Sequence, residues 1–184
     1  GISAKSIDYA ASKKINLIIA LDCGIQAIDK VKYAKEKNID FIICDHHKPS
    51  KEIPKAIAVL NPLREECRYP FKDLCGCGIG FKLIQALSSR MGETIESIKE
   101  YLDLVALAIV ADIVSLTGEN RILCYYGLEQ INQSPRPGLK AIIDTLDKDN
   151  ITINELGFYI GPRINAAGRM ESGNIAVELL IEKD

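Results

Sequence analysis

No apolar run in this 184-residue chain approaches the roughly 20 residues that a membrane-spanning helix needs; the longest, Leu104 to Ala111, is too short. The opening residues alternate polar and apolar positions, so they do not read as a secretory leader. Positive charge is not in excess. Lys and Arg number 23 against 25 Asp and Glu, giving a net charge of −2 and a pI near 5.8. That excludes a simple polycationic nucleic-acid binder and leaves room for a local basic cleft. Low-complexity linkers and internal repeats are missing, which excludes repeat arrays. The six cysteines, Cys23, Cys44, Cys67, Cys75, Cys77 and Cys124, form no paired C-x2-C zinc pattern. Scattered and without a leader, they read as the reduced thiols of a cytoplasmic protein. Histidine is scarce too: there are two, and they are neighbours, His46 and His47.

What is present is a globular composition, 47% hydrophobic and 26% charged. The length suits one domain, or one domain plus part of another. The chain starts at Gly1 and ends at Asp184 within a predicted helix, so a piece of a longer protein with an incomplete active site is expected. The first half alternates helix and strand. A helix over roughly Ser3–Lys13 precedes a β-branched apolar run, Ile15–Leu21, which fits a buried parallel strand. Ile28, Val31 and Ala34 fall at helical spacing within Ile25–Lys37. Ile39–Cys44 and Ala56–Leu60 read as further strands. Strands separated by such helices predict right-handed parallel βαβ units. The second half reads as helical: Ile79–Met91, an apolar helix over Ile98–Val110, Asn120–Gln133, Gly138–Leu146, and a helix beginning near Asn174. The fold class is therefore α/β, a parallel sheet with flanking helices, followed by a mostly helical second half.

Asp22 and Asp45 fall at the carboxyl ends of adjacent predicted strands, the edge where open α/β sheets bind ligands. His46 and His47 follow Asp45 directly, and carboxylates with imidazoles can hold Mn²⁺, Mg²⁺ or Zn²⁺. Asp22 has a plainer alternative as N-cap of the following helix. Asp112 interrupts an apolar stretch; buried, it would need a partner or a metal, and otherwise it is a helix-end residue facing water. Asp103, in the same stretch, is expected to be the exposed polar residue of its turn. The segment Gly161–Met170 (GPRINAAGRM) carries two arginines, an Asn and small residues. Small residues permit close backbone approach and Arg forks match phosphate oxygens, so this segment is read as a basic loop able to grip a sugar–phosphate backbone. Arg136 and Lys140 could extend a basic edge. Cys75–Gly80 (CGCGIG) lacks the strand that a dinucleotide fingerprint requires and reads as a tight entry to the Ile79 helix. Cys23 lies beside Asp22 without an evident base to make it a nucleophile.

Asp45-His46-His47 resembles the signature of the DHH phosphoesterases. Within them the chain is similar to the RecJ-type exonucleases, through LIIALDCGI around Asp22, GCGIGFKLIQAL from Gly76, VADIVSLTGENRIL around Asp112 and IGPRINAAGRM from Ile160. The resemblance implies a DHH phosphoesterase core and metal-dependent hydrolysis of phosphodiester bonds. It further implies a 5′→3′ exonuclease on single-stranded DNA, run with two Mn²⁺ or Mg²⁺ ions and serving recombination and repair. It also implies roles: Asp22, His46 and Asp112 as metal ligands, and His47 at the scissile phosphate, with Asp45 orienting the pair. Arg163, Asn165, Gly168 and Arg169 would lie along the DNA strand.

Two family features are not found in the sequence, an Asp-x-Asp first motif and a C-terminal DHH-associated domain. Residues 1–172 are accordingly expected to be the core domain, and 173–184 the start of a helix leading onward. The chain alone is expected to be weak or inactive. Partners implied are single-stranded DNA and other repair proteins, with no membrane. Two alternatives are a DHH phosphoesterase of small substrates (oligoribonucleotide, cyclic dinucleotide or pyrophosphate) and a non-catalytic single-strand binding module.

Overall fold

The computed structural model describes residues 1–170 and 173–183, with residues 169 and 170 described by their backbone. The chain divides into two compact units, Gly1–Ile84 and Gln85–Asp184. The first opens with α1 (Ala4–Ser12). Ser3 caps it: the Ser6 N–H donates to Ser3 Oγ at 3.1 Å and the Ser3 N–H returns to Ser6 Oγ at 3.2 Å, satisfying donors that a helix start otherwise leaves open. Then come β1 (Leu17–Leu21), α2 (Ile28–Glu36), β2 (Asp40–Cys44) and β3 (Ala58–Leu60). The helix α3 (Gly76–Arg90) starts in this unit.

The sheet is parallel with order β1-β2-β3. Register pairs Ile18 with Phe41 and Ala20 with Ile43, so these four side chains share one face. Ile7 and Ala10 of α1, and Val31 and Ala34 of α2, join Ala20, Ile39, Phe41 and Ile43 in one core cluster. Each fully buried Ile or Phe contributes roughly 1.5–3 kcal/mol. The opposite face of β1 stays open, with Leu17, Ile19 and Leu21 between 39% and 51% exposed. Because register also fixes where strands end, residues 22, 45 and 61 come side by side: the Asp22 N–H donates to Cys44 O at 2.8 Å and the Asp45 N–H to Leu60 O at 3.0 Å.

The second unit is helical. Two single 3₁₀ turns (Ile95–Ser97, Lys99–Tyr101) lead into α4 (Leu102–Ala111), so the predicted helix over Ile98–Val110 is broken at its start. α5 (Gly118–Gln133) packs on α4, where Gly127 is obligatory: a Cβ there would lie 2.2 Å from Leu102 O. α6 (Pro137–Ile143), the short turn α7 (Ile153–Glu155), a π-helical turn (Leu156–Ile160), α8 (Gly161–Met170) and α9 (Gly173–Ile181) complete it.

Three readings are corrected here. Asp103 is buried, 1% exposed, and not the polar residue of an open turn. Its carboxylate takes two hydrogen bonds from Arg136, Nε to Oδ2 at 2.6 Å and Nη2 to Oδ1 at 2.7 Å. Arg136 also donates to Leu180 O and Glu100 O, so it is a structural tie and not part of a basic edge. A charge this deep persists because a planar fork satisfies both carboxylate oxygens. Finally, Gly161–Met170 is a helix, not a loop. Its small residues, taken as loop formers, follow a π turn that runs straight into the helical register.

Candidate metal centre

The site lies at the carboxyl edge of the sheet, in the first unit. Asp22 follows β1 with φ +58°, a left-handed conformation that Asp tolerates better than most residues. It does not cap α2, whose N-cap is Ala27, so the plainer reading of Asp22 is set aside. His46 Nε2 lies 3.1 Å from Asp22 Oδ1. Two donors bound about 2.1 Å from one ion at right angles are about 3 Å apart, so this spacing suits ligands of a common metal. His47 joins them: one donor atom from each of Asp22, His46 and His47 lies within 4.8 Å of the others. Among the described residues no such group includes Cys67, Cys75 or Cys77.

Asp45 stands behind these donors, 1% exposed. Oδ2 accepts the Ile25 N–H at 2.8 Å; Oδ1 accepts the His47 N–H at 3.1 Å and His47 Nδ1 at 2.7 Å. One carboxylate therefore ties the turn after β1 to the turn after β2. Burial opposes its charge, but these hydrogen bonds and the nearby His47 outweigh burial and hold its pKa below the usual carboxylate value. With Nδ1–H donated to Asp45, the neutral His47 ring carries its lone pair on Nε2, the usual carboxylate–histidine arrangement at metal sites. The side chain of His47 is 59% exposed and that of His46 18%, an open position beside a more enclosed one.

Two contributors escaped the sequence reading. Gly76, the first residue of α3, makes room for Asp22: a Cβ there would lie 2.3 Å from Asp22 Oδ1 and 2.5 Å from Asp22 Cβ. The glycine run is thus the first turns of a helix pressed against the candidate ligand, and its position just before the Ile79 helix was the available signal. Asn61, 2% exposed, donates from Nδ2 to His47 O at 2.8 Å. Its place at the end of the third strand, beside Asp45, could have been read from the strand pattern. The neighbouring thiols favour their protonated form. Burial pushes the Cys44 pKa up to about 11 and raises that of Cys23.

The remaining predicted residues stand in the second unit. Asp112 is the C-cap of α4, exposed, its N–H donating to Ala108 O at 2.9 Å; the buried acid of that stretch is Asp103. Arg163, Asn165 and Gly168 are exposed positions of α8. At about 100° per residue, Asn165, Gly168 and Arg169 share one side of the helix and Arg163 falls on the other. Arg163 Nη1 donates to Thr145 Oγ1 at 2.9 Å. The side chain of Arg169 lies outside the described residues.

Residues 2–109 match the model of the DHH family, N-terminal domain. Over 171 residues, 92% of this chain, the sequence is 43% identical to the single-stranded-DNA-specific exonuclease RecJ of Bacillus subtilis, of which it spans 21%. A crystal structure of exonuclease RecJ bound to manganese superposes with a TM-score of 0.87 at 31% identity, covering 98% of this chain and 45% of that one. RecJ of Thermus thermophilus in complex with Mn²⁺ gives a TM-score of 0.86 at 31% identity, covering 100% and 27%. The Thermus thermophilus protein in complex with Mg²⁺ gives 0.68 at 26% identity, covering 98% and 26%. The chain thus spans less than half the length of each of these relatives.

Proposed function

We propose, since the chain belongs to the DHH family, that it is the metal-binding core of a RecJ-type enzyme hydrolysing phosphodiester bonds in single-stranded DNA. The observation that carries this reading is the convergence of Asp22, His46 and His47 at the sheet edge, with Gly76 leaving space for the carboxylate. The donor set suits Mn²⁺ or Mg²⁺, through carboxylate oxygen, with imidazole favouring the former. Two ions, once bound, lower the pKa of water and neutralise charge developing on the phosphate.

In this reading Asp22 and His46 hold metal, and Asp112 contributes a third ligand. His47, gripped at Nδ1 by Asp45, keeps Nε2 directed outward. There it holds a proton against a phosphate oxygen or receives one from the attacking water. The ionised Asp45 stabilises the imidazolium that results, acting through His47 without touching substrate. Asn165, Gly168 and Arg169 present one side of α8 to the strand, with the small Gly168 allowing close approach, and Arg163 adds charge from the other side. The activity is 5′→3′ and serves recombination and repair, in the cytoplasm, with residues 1–172 as the core domain. The chain alone is weak, because the relatives it matches are much longer and donors outside it complete the site.

The test is a calorimetric Mn²⁺ titration of the chain beside Asp22→Ala and Asp112→Ala. Both variants should bind at least tenfold more weakly. Unchanged binding in Asp22→Ala would overturn the metal centre, and unchanged binding in Asp112→Ala would remove that residue from it. In the whole protein, a long single strand should be degraded in preference to a dinucleotide; the opposite preference would assign a small-substrate phosphoesterase.

A further inference from the structure

Beyond the donors themselves, the turn that carries them must be fixed in place, and Asn61 is built to do so. Pro62 follows it, which confines residue 61 to extended backbone. Its Oδ1 accepts the Leu63 N–H at 2.8 Å, an Asx turn formed with its own chain. That bond fixes the orientation of the amide, because the oxygen must face Leu63, and so the NH₂ group faces His47 O at 2.8 Å. Exchanging oxygen and nitrogen would break both bonds, so the arrangement has one solution. Asn61 is 2% exposed, and water does not compete for the bond.

We infer that Asn61 is a positioning residue for His47, acting on the main chain while Asp45 acts on the ring. His47 is held at its N–H and Nδ1 by Asp45 Oδ1 and at its carbonyl by Asn61 Nδ2. The two bonds to Asp45 Oδ1 share one anchor, about which the turn could pivot; the third bond, at the carbonyl, holds the backbone on its other side and so fixes the turn from which the ring projects. The inference rests on the metal-centre reading above for its purpose, and on the hydrogen bonds alone for its geometry.

Asn61→Asp is the discriminating change. It is the same size and keeps the oxygen that accepts from Leu63, so the local turn persists. It removes the donor to His47 O. It also adds negative charge near the candidate ligands, which by Coulomb attraction alone would tighten a cation. The expected result is the reverse: Mn²⁺ affinity falls about tenfold, because the turn that Asn61 fixes also carries the ligand His46, and that is the size typical of losing an outer partner of a ligand. Asn61→Ala, which loses both bonds, should fall at least as far.

The second readout needs no metal. The chain has two histidines, so the His47 ring signals are assigned by comparison with His46→Gln. In the unaltered chain the His47 Nδ1–H should be a downfield proton resonance slow to exchange. In Asn61→Asp it should broaden or exchange at least tenfold faster while the remaining amide spectrum is retained. An unchanged Nδ1–H signal would overturn the inference, as would Mn²⁺ binding at the original or higher affinity. If the unaltered chain binds no Mn²⁺, the metal-centre reading fails, and the proton signal still decides whether Asn61 fixes His47.

Discussion

Gly76→Ala isolates the fit between α3 and the candidate ligand. An added methyl group would stand 2.5 Å from Asp22 Cβ, 2.6 Å from Cγ and 2.3 Å from Oδ1. Rotating the Asp22 side chain relieves the oxygen but not the Cβ contact, since Cβ is fixed to the backbone. The helix start and the turn after β1 must therefore separate by about 0.5 Å or more before the contact reaches 3.0 Å, the closest that real Cβ atoms approach. Overpacking of this kind costs about 1–3 kcal/mol, offset by up to ~1 kcal/mol because Ala is a better helix former than Gly. The net loss of stability is therefore small, while Asp22 leaves its place opposite His46. Gly78→Ala is the control. It lies in the same helix, and its methyl group would meet Cys75 Sγ at an ordinary 3.4 Å. Urea denaturation and Mn²⁺ calorimetry on both variants separate the effects. Gly78→Ala should match or exceed the parent in stability and bind Mn²⁺ normally. Gly76→Ala should lose roughly 0–2 kcal/mol and bind Mn²⁺ at least tenfold more weakly. Equal Mn²⁺ affinity in the two variants would refute the argument that Gly76 makes room for a ligand.

Three other outcomes follow from particular contacts. The Asp45 pKa is depressed in the folded protein, so its contribution to stability is complete above the usual carboxylate range and is lost as pH falls below it. Denaturation of Asp45→Asn across that range should show a flatter pH dependence than the parent, measured without metal. Breaking the buried pair by Asp103→Asn or Arg136→Met should cost about 3–5 kcal/mol, because each leaves the other group uncompensated; the double variant should recover part of the loss, and additive losses in denaturant melts would contradict a direct pair. On α8, Asn165→Ala and Arg163→Ala should differ in kind: removing the Arg lowers the salt dependence of single-strand binding while removing the Asn does not, as followed by fluorescence anisotropy at several salt concentrations.

Much of the first unit was legible because its signals are local. The apolar strands were visible as β-branched runs, and the two acids at their ends lie beside one another because parallel register aligns those ends. The histidine pair stood out by scarcity. What was not legible depends on contacts between distant segments. Asp103 and Asp112 occupy the same apolar stretch, and only the position of Arg136, 33 residues from Asp103, decides which acid is buried. The same absence of tertiary information hid Asn61, whose partner is 14 residues away. Gly161–Met170 looked like a loop from its small residues. Propensity there is weak, and the preceding π turn continues into the helix without a cap.

The tie between Asp103 and Arg136 also bears on the order of folding events. Arg136 reaches Glu100, Asp103 and Leu180, partners 36, 33 and 44 residues away, so its bonds join separate segments and none of them can form within a single helix. Interactions made after the rate-limiting barrier raise the barrier to leaving the native state and leave the rate of reaching it alone. Bonds that need several segments in place are expected on the native side of that barrier, which would make the guanidinium a latch on the second unit. Arg136→Lys should hasten unfolding while refolding proceeds at its original pace; slowed refolding in stopped-flow measurements would place these bonds before the barrier instead.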